Sequence, residues 1–391
     1  MSYSIIQTPA SCSLAQSPVI FTVSSSVLVG QPDFTYVGEL SIWTGSVADS
    51  SSAEVWTLAK YPSIYGFTGI FDVSRILNST QTWLVQTTPS GVSNFKFDTY
   101  SRYLSGSTTY ITGSHVVSDV FQALDGYQVF PEPIGEELQT LTPFFPLLTD
   151  GPATQSIFIG NVGSGSVWAK ETTLSSATID KIAYSGSNGA TNEITLSAVT
   201  NDSNTFIQHF PIGPGDTNFP ISTVGLSSYT IQAKSLGVAI GKPITYIVDC
   251  KQKYPNIRIK WKNRYGQFDY FNFNMVSRQS ISSDKHTYQP QLGTWAGRTL
   301  SYNEWDSQNL NYIVDSKQQI SVNSFWVSED YNDIFKQLLV SDEIYWMQED
   351  TLHVKPITII TNSIQFKTGV VDGLIQYAFD FQYGQGYKLI I

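Results

Sequence analysis

The alternation of apolar and polar residues is most regular between residues 256 and 275. From Ile257 to Trp261, large apolar side chains alternate with basic ones, and this period of two predicts a strand with one buried face and one face in solvent. Tyr265 and Gly266 favour a turn, and aromatic residues from Phe268 onward predict a returning strand with bulky side chains on both faces. We therefore predict a hairpin that lies inside a larger sheet or against a neighbouring subunit.

Period-two alternation also runs through residues 1–129, the predicted N-terminal β-rich domain. Clusters of Gly, Asp and Ser separate its segments, which is the rhythm of a β-sandwich. Strands are predicted over residues 18–29, 34–43 and 53–59, with further strands within 81–110.

Two short helices are predicted to interrupt this pattern. Segment 66–77 ends in one or two helical turns, for which Asp72 or Ser74 supplies either an N-cap or a buried partner for Arg75. Residues 114–124 place five apolar side chains on one helical stripe, with Gly126 just beyond its end. We predict that this second, amphipathic helix closes the first core.

Five prolines are interleaved with Phe and Leu in residues 130–152. Proline lacks a backbone N–H and fixes its own φ, so this segment is predicted to be a stiff, ordered connection. Residues 153–250 turn to Gly, Ser, Thr and Asn and predict a small all-β domain. Its strands are predicted over 157–159, 167–169, 177–183, 193–199, 205–210, 229–233 and 238–248. The glycine-rich segment 160–166 lacks the Lys and the following helix of a phosphate loop, so it is predicted to be a turn.

Residues 251–391 predict a C-terminal domain in which the hairpin leads into an α+β module, a sheet with one helix. The helix begins at Ser328 and carries apolar residues on one face: Tyr331, Ile334, Phe335, Leu338 and Leu339. The polar stretch after Arg278 predicts a loop, and segments 299–306 and 312–315 are predicted to pair with each other. Further strands are predicted over 343–347, 353–360, 363–368 and 374–383.

Composition supports a β-rich chain. Its 391 residues suffice for two or three domains. Aromatic residues make up 14% and charged residues also only 14%, where about a quarter is usual for charge. Aromatic and β-branched residues suit sheets better than helices. The predicted fold class is mainly β and multi-domain, with β-sandwich-like units plus the C-terminal α+β module.

The net charge of −10 and the pI near 4.8 argue against a nucleic-acid partner, because nucleic-acid binding depends on a basic surface. The basic residues between Lys251 and Arg264 alternate with apolar ones. We therefore interpret Arg258, Lys260 and Lys262 as the solvated face of a strand. No direct recognition of a nucleic-acid sequence is expected.

The chain begins Met-Ser-Tyr-Ser-Ile-Ile-Gln, without the basic and apolar regions of a signal peptide. No stretch approaches about 18 uninterrupted apolar residues, so no membrane-spanning helix is expected. Cys12 and Cys250 do not form the pattern of a disulfide scaffold, and we expect both to be reduced thiols. These features predict a protein that is made in a cytosol.

Residues able to carry chemistry are scattered along the chain. The four histidines lack a second ligand at a metal-binding spacing: His115, His209, His286 and His353. There is no nucleophile elbow, no Cys-x-x-Cys and no Walker lysine. Paired carboxylates fall in predicted loops or beside a helix end: Glu136-Glu137, Asp342-Glu343 and Glu349-Asp350. We predict no catalytic, cofactor-binding or metal-ligating residues and no cofactor. A glycosidase pair stays open as an alternative, because its two acids can lie far apart in the sequence and meet only in the folded chain.

Several segments together resemble virion proteins of tailed phages that infect Bacteroidota, the crAss-like phages among them. They are Pro18–Phe21, Phe34–Val37, Gly69–Leu77, Ile257–Ser277, Trp326–Glu329 and Leu374–Tyr377. These are packing motifs, and the resemblance carries no catalytic residue across. It implies a structural part of the virion neck or tail, one copy in a symmetric ring with other neck and tail proteins, assembled in the host cytoplasm. The middle domain shows the fewest of these motifs, which suggests an insertion.

The sequence thus predicts a non-enzymatic structural component of a tailed-phage virion, a neck or tail ring subunit that assembles through subunit contacts. An excess of aromatic residues over charged residues is typical of such contact surfaces. The alternatives are a receptor- or glycan-binding tail appendage, with aromatic side chains exposed at a tip of the middle domain, and a tail-associated depolymerase, with two acids facing each other in a cleft.

Overall fold

The computed structural model of the chain describes residues 3–10, 12–25, 30–44, 47, 50–64, 67–80, 92–106, 108–129, 147–169, 179–197, 207–249, 253–291, 293–348, 354–369, 375–384, 386 and 388–390. Strands account for 53% of the described residues and helices for 6%. The protein is therefore mainly β and multi-domain, which confirms the predicted fold class.

The chain divides into two compact units. The first comprises Met1–Cys250 together with Lys262–Asp269, and the second comprises Lys251–Trp261 together with Tyr270–Ile391. The tip of the predicted hairpin therefore groups with the first unit, while its two strands group mostly with the second. Most of the predicted connection 130–152 lies outside the described residues, which resume at Leu147.

The N-terminal part of the first unit is a β-sandwich, as predicted. One sheet has three strands in the order β1 (Ser4–Gln7), β3 (Ile20–Ser24) and β6 (Thr68–Asp72). The other has the order β2 (Cys12–Leu14), β10 (Phe121–Leu124), β7 (Val92–Ser105), β4 (Thr35–Trp43) and β5 (Glu54–Lys60), with β8 (Thr109–Thr112) and β9 (Val116–Val117) also paired to β7.

Phenylalanines from both sheets fill the core of this sandwich. Phe21 and Phe71 come from the three-stranded sheet, and Phe95, Phe97 and Phe121 come from the other. The Phe21 and Phe97 rings stack with centroids 4.6 Å apart. Burying one such side chain stabilises the fold by about 1.5–3 kcal/mol, so this cluster is the main reason why the two sheets stay together.

The predicted helix over residues 114–124 is wrong, because the segment forms β9 and β10. Strand β10 pairs in parallel with β2 and antiparallel with β7, and all four of its residues are buried. A short apolar run that is buried on both faces has no period of two, so its pattern cannot distinguish a strand from a helix. The other predicted helix is present as α1 (Ser74–Thr80), and the Ser74 N–H donates to Asp72 Oδ1 at 3.0 Å, the predicted cap.

The middle part of the first unit has seven strands within its described residues, as predicted. Five form a sheet in the order β11 (Thr154–Phe158), β17 (Val238–Asp249), β16 (Ser228–Ser235), β13 (Lys181–Gly186) and β14 (Thr191–Thr195). The other two, β12 (Ser164–Trp168) and β15 (Ile207–Pro211), pair with each other. The predicted turn at 160–166 is shorter than expected, because β12 already begins at Ser164.

The second unit is built on an eight-stranded sheet. Its main order is β19 (Phe268–Phe273), β18 (Ile257–Lys262), β24 (Ile344–Met347), β25 (Val354–Ile359), β26 (Ala378–Tyr383), β23 (Leu310–Asn323) and β20 (Arg278–Tyr288), with β27 (Lys388–Ile390) also paired to β23. Two further short strands, β21 (Thr294–Ala296) and β22 (Thr299–Ser301), pair with each other.

One helix covers this sheet, which confirms the predicted sheet-and-helix module. A 3-10 turn (Glu329–Tyr331) leads into α2 (Asn332–Val340). Phe335 is fully buried, and its ring lies 5.0 Å from that of Phe271 and 5.3 Å from that of Phe379. The predicted hairpin of β18 and β19 is thus confirmed, and its aromatic residues find their neighbours inside a larger sheet.

The basic residues of β18 are buried, so the prediction that they form a solvated face is wrong. All six residues of the strand are buried, including Arg258, Lys260 and Lys262. Arg258 lies over the Tyr270 ring and donates to Asn272 Oδ1, and Lys260 lies over the Tyr345 ring. Aromatic faces and amide acceptors compensate these cations for the loss of water, which period-two alternation cannot reveal. Burial lowers the pKa of Lys260 to about 8.

Three other predictions in the second unit are wrong. The polar stretch after Arg278 is not a loop but the strand β20, which pairs with β23 from Arg278↔Ser321 to Tyr288↔Leu310. The predicted pairing of 299–306 with 312–315 is replaced by this ladder and by the small β21–β22 pair. Segment 363–368 has no strand conformation.

Candidate functional site

The tip of the β18–β19 hairpin forms a network of buried polar groups within the first unit. Asn263 organises it: its side-chain oxygen accepts from the N–H groups of Tyr265 and Gln267, and its amide donates to the Leu148 carbonyl at 2.9 Å. The Tyr127 N–H donates to the Arg264 carbonyl. The tip is therefore fixed to two separate parts of the chain.

Gly266 is required at this tip for two reasons. Its φ is +70°, in the region that side chains other than glycine rarely adopt. A Cβ at this position would lie 2.2 Å from the carbonyl oxygen of Asp125. The backbone of the tip thus packs directly on the chain at Asp125.

Charged pairs hold the same tip. Lys262 and Asp125 form an ion pair of 3.0 Å in which both side chains are almost wholly buried. Arg264 pairs with Asp150 at 2.6 Å, and the Tyr265 hydroxyl donates to Asp150 Oδ1 at 2.9 Å. Burial raises the pKa of Tyr265 above its ordinary value. These groups neutralise one another, so the network binds the tip of the hairpin in place.

Asp269 is the most perturbed acid of this network. Burial raises its pKa to about 7, although the Thr149 hydroxyl, which donates to Asp269 Oδ1 at 2.6 Å, acts in the opposite direction. The nearby Asp150 charge adds to the rise. The protonated carboxyl is therefore the form that the folded protein favours up to neutral pH.

We predict that Asp269 makes the fold less stable as pH rises. Its ordinary pKa of 3.8 applies to the unfolded chain, so between about pH 4 and pH 7 the folded state binds more protons. The destabilisation is complete above pH 7. Asp269→Asn should match the wild type in urea unfolding below about pH 4 and be more stable, by about 1–3 kcal/mol, near pH 8. Equal unfolding midpoints at pH 8 would contradict the raised pKa.

The structure separates the remaining residues that could carry chemistry. His115 pairs with Asp98 at 3.0 Å near the surface, His209 Nδ1 lies 2.9 Å from the Ser166 hydroxyl, and His286 faces the Tyr312 ring. The last predicted histidine, His353, is outside the described residues, as are the pairs Glu136-Glu137 and Glu349-Asp350. Among the described residues no three His, Cys, Asp or Glu side chains form a group suited to a metal ion. The Ser166–His209 contact joins positions too far apart in the chain for any sequence motif to indicate.

The cysteines were predicted to be reduced thiols. Cys12 is buried and belongs to no disulfide. Cys250 lies outside the described residues. Within the described part of the chain, no helix is long and apolar enough to span a membrane.

The main exposed feature is a long ribbon in the second unit. Strands β20 and β23 extend beyond Gln319, where the pairing of β23 with β26 ends. Strand β27 pairs with β23 from Ile313 to Asp315, and β21 and β22 lie between β20 and β23 in the chain. We call residues 281–317 the arm and residues 293–309 its tip. All residues of β20, β21 and β22 are exposed, so this part of the arm has no buried face.

The arm is rich in exposed apolar side chains, which are Ile281, Tyr288, Trp295, Leu300, Tyr302, Trp305, Leu310 and Tyr312. Beyond Ile313, where the pairing with β27 ends, the arm is a ribbon of two strands, which is only marginally stable in water by itself. Aromatic side chains are also the residues that protein interfaces bury preferentially. The arm is therefore the strongest candidate interface among the described residues.

A tight turn presents the most exposed aromatic side chain of the arm. The Asp306 N–H donates to the Asn303 carbonyl at 3.0 Å, and the Asn303 N–H donates to Asp306 Oδ2 at 2.9 Å. Between them lie Glu304 and Trp305, and Trp305 is 81% exposed. These two hydrogen bonds fix the turn, so the indole is presented to solvent from an ordered backbone.

A groove lies at the base of the arm, in the same unit. It encloses about 340 Å³ and is lined by Gln279, Gln318, Trp346, Lys355, Pro356, Tyr383 and Gly386. The Trp346 and Tyr383 rings meet at 62° with centroids 5.7 Å apart, and the Lys355 ammonium lies 5.4 Å from the Trp346 centroid. The groove thus combines aromatic surface, two amides and one cation.

A second exposed apolar surface lies in the first unit, on and after the edge strand β5. Its exposed apolar residues are Trp56 on β5, then Tyr61, Ile64 and Phe67 after it, and Ile70 on β6. Unlike the arm, these residues belong to or follow a strand that is paired into the sandwich along its length. Substitutions on this surface are a matched comparison for substitutions in the arm.

The middle part of the first unit lacks exposed aromatic residues among those described. Its Phe, Tyr and Trp side chains there are buried or half-buried: Phe158, Trp168, Tyr184, Phe210, Phe219, Tyr229 and Tyr246. A hollow of about 520 Å³ lies on its sheet, where Glu193 bridges Lys181 and Lys234. The aromatic tip that a glycan-binding appendage was predicted to show therefore has no counterpart in this part of the described chain.

The fold and these surfaces define a multi-domain, mainly β protein with a projecting aromatic arm. Neither a model of a known protein family nor a curated protein sequence matches the chain.

Proposed function

We propose that this chain is a non-enzymatic structural subunit of a tailed-phage virion, which forms a ring in the neck or tail through contacts with further copies and with other neck and tail proteins. The observation that carries the assembly part is the arm, whose aromatic side chains are exposed along a ribbon with little core of its own. The phage part of the proposal rests on the resemblance of the packing motifs to virion proteins of tailed phages.

The physical case for assembly is the cost of leaving the arm in water. Large aromatic side chains each gain a few kcal/mol when buried, and several of them lie within the arm. Ordering the ribbon also costs chain entropy, and the contacts within the ribbon offset only part of that free energy. Contact with a neighbouring subunit supplies both the burial and the missing strand neighbours, which favours an assembling protein over one that works as a monomer.

The test replaces three exposed aromatic residues of the tip. We expect the wild-type chain to sediment as an oligomer and the variant with Trp295→Ser, Tyr302→Ser and Trp305→Ser to sediment as a monomer with unchanged circular dichroism. The matched control replaces Trp56 and Tyr61 by Ser on the first unit and should stay oligomeric. An oligomer that survives the tip substitutions but not the control would contradict the role of the arm.

The same preparations test the non-enzymatic part of the proposal. We expect no cleavage of polysaccharide or peptidoglycan by the oligomer. A wild-type monomer that hydrolyses either polymer would overturn the proposal in favour of a tail-associated depolymerase. A wild-type monomer that binds glycans would favour the receptor-binding appendage instead.

A further inference from the structure

The groove at the base of the arm needs an occupant of defined chemistry. It offers two aromatic rings, Trp346 and Tyr383, and one cation, Lys355. Its volume of about 340 Å³ lies near the lower limit of about 300 Å³ for small-molecule pockets, so it suits one aromatic side chain with its flanking groups. No carboxylate is among the described residues that line it. An aromatic residue beside an acid complements this lining.

The tip of the arm carries that combination. Trp305 is flanked directly by Glu304 and Asp306, and the turn of residues 303–306 holds the three in an ordered backbone. A ligand held in its bound shape before binding loses less entropy on docking. An exposed tryptophan on a fixed turn is also the type of residue that dominates interface energies.

The groove of the same chain is out of reach of this tip. Gln279 and Gln318 line the groove at the base of the ribbon, whereas the tip begins beyond Tyr288. Strand residues rise by about 3.3 Å each, so the paired ribbon separates the tip from the groove by roughly 30 Å. A paired ribbon cannot fold back on itself over that distance, so a tip that enters this groove belongs to another copy.

We propose that the groove binds the arm tip of a second copy of this chain, with the Trp305 indole against Trp346 and Tyr383 and the Glu304 carboxylate beside the Lys355 ammonium. This inference rests on the proposed function. Because tip and groove are different surfaces, the contact is heterologous, and successive copies form either a closed ring or an open filament.

The first experiment reverses the two charges. We expect Lys355→Glu and Glu304→Lys each to lower the self-association constant about tenfold or more, and the double variant to regain most of the wild-type value. Both side chains are exposed in the single chain, so folding should not change. The control is Lys60→Glu, an exposed charge reversal on β5. Sedimentation velocity measures all four variants beside the wild type.

The second experiment mixes a chain that lacks the tip contact with one that lacks the groove contact. Trp305→Ser should reduce self-association roughly 30-fold, as the loss of a central aromatic contact does. Mixed with Lys355→Glu, it still offers an intact groove to an intact tip, so the mixture should form one-to-one dimers that neither variant forms alone.

The outcomes separate this inference from the proposed function. If the wild type assembles and Trp305→Ser does not, but Lys355→Glu assembles normally, the tip binds elsewhere and the groove assignment is wrong while the proposed function stands. If the double charge reversal shows no recovery, the pairing of Glu304 with Lys355 is wrong. If the wild type is a monomer, the proposed function itself fails.

Discussion

Gly266→Ala is expected to lower the free energy of unfolding of the first unit by about 3 kcal/mol or more. The backbone at Gly266 has a φ of +70°, which an alanine adopts at a cost of about 1 kcal/mol. The added Cβ would also lie 2.2 Å from the Asp125 carbonyl oxygen, so the hairpin tip must move away from the chain it packs on. Urea unfolding followed by tryptophan fluorescence measures the loss.

Gly225→Ala is the matched control for this prediction. Gly225 also has a φ of +70° in the same unit, but a Cβ there meets nothing within 4 Å. Gly225→Ala should therefore lower the free energy of unfolding only by the cost of a positive φ for alanine, about 1 kcal/mol. Equal losses in the two variants would show that close packing of the tip on Asp125 contributes nothing.

Lys262→Met is expected to destabilise the first unit by about 3–5 kcal/mol. Lys262 and Asp125 form a 3.0 Å ion pair whose side chains are 5% and 4% exposed, so removing the cation leaves a buried carboxylate without its counter-ion. Adding Asp125→Asn should recover part of the loss, because the neutral amide no longer needs a counter-ion.

Lys336→Met provides the comparison for an exposed ion pair. Lys336 pairs with Asp333 at 2.8 Å on the helix α2, where both side chains are more than half exposed. Such a pair contributes less than about 1 kcal/mol, so this variant should unfold almost as the wild type does. A loss at Lys262 no larger than that at Lys336 would contradict the structural role of the buried pair.

Sequence patterns correctly predicted helix α2 and the β18–β19 hairpin. Helix α2 was predicted from the spacing of Tyr331, Ile334, Phe335, Leu338 and Leu339. The first four are buried and Leu339 is partly buried. The β18–β19 hairpin followed from alternation and from Gly266 at a turn of positive φ. For α2 the period of the apolar residues directly reflects the surface on which the helix packs, whereas all six residues of β18 are buried.

Sequence patterns gave wrong predictions for β10, for β20 and for the basic residues of β18. Strand β10 is buried on both faces and was predicted as a helix, whereas β20 is exposed on both faces and was predicted as a loop. Lys260 and Arg258 are buried although their charge indicates solvent. Their compensating partners, Tyr345 and Tyr270, come from positions that alternation within one strand cannot identify.

The pattern of apolar residues also did not indicate the candidate interface. The arm has no period of two, because water surrounds both faces of the strand β20 in the single chain. The only signal was an excess of aromatic residues among polar ones around Trp295, Tyr302 and Trp305. A ribbon that buries its residues only against another subunit leaves no apolar stripe for a single-chain pattern to show.

Electron microscopy of the purified, full-length protein tests the proposed assembly most directly. The expected result is class averages of closed rings in which the arm of each copy, residues 281–317, contacts the neighbouring copy. Isolated single-chain particles, or rings in which the arms project into solvent without touching a neighbour, would contradict it.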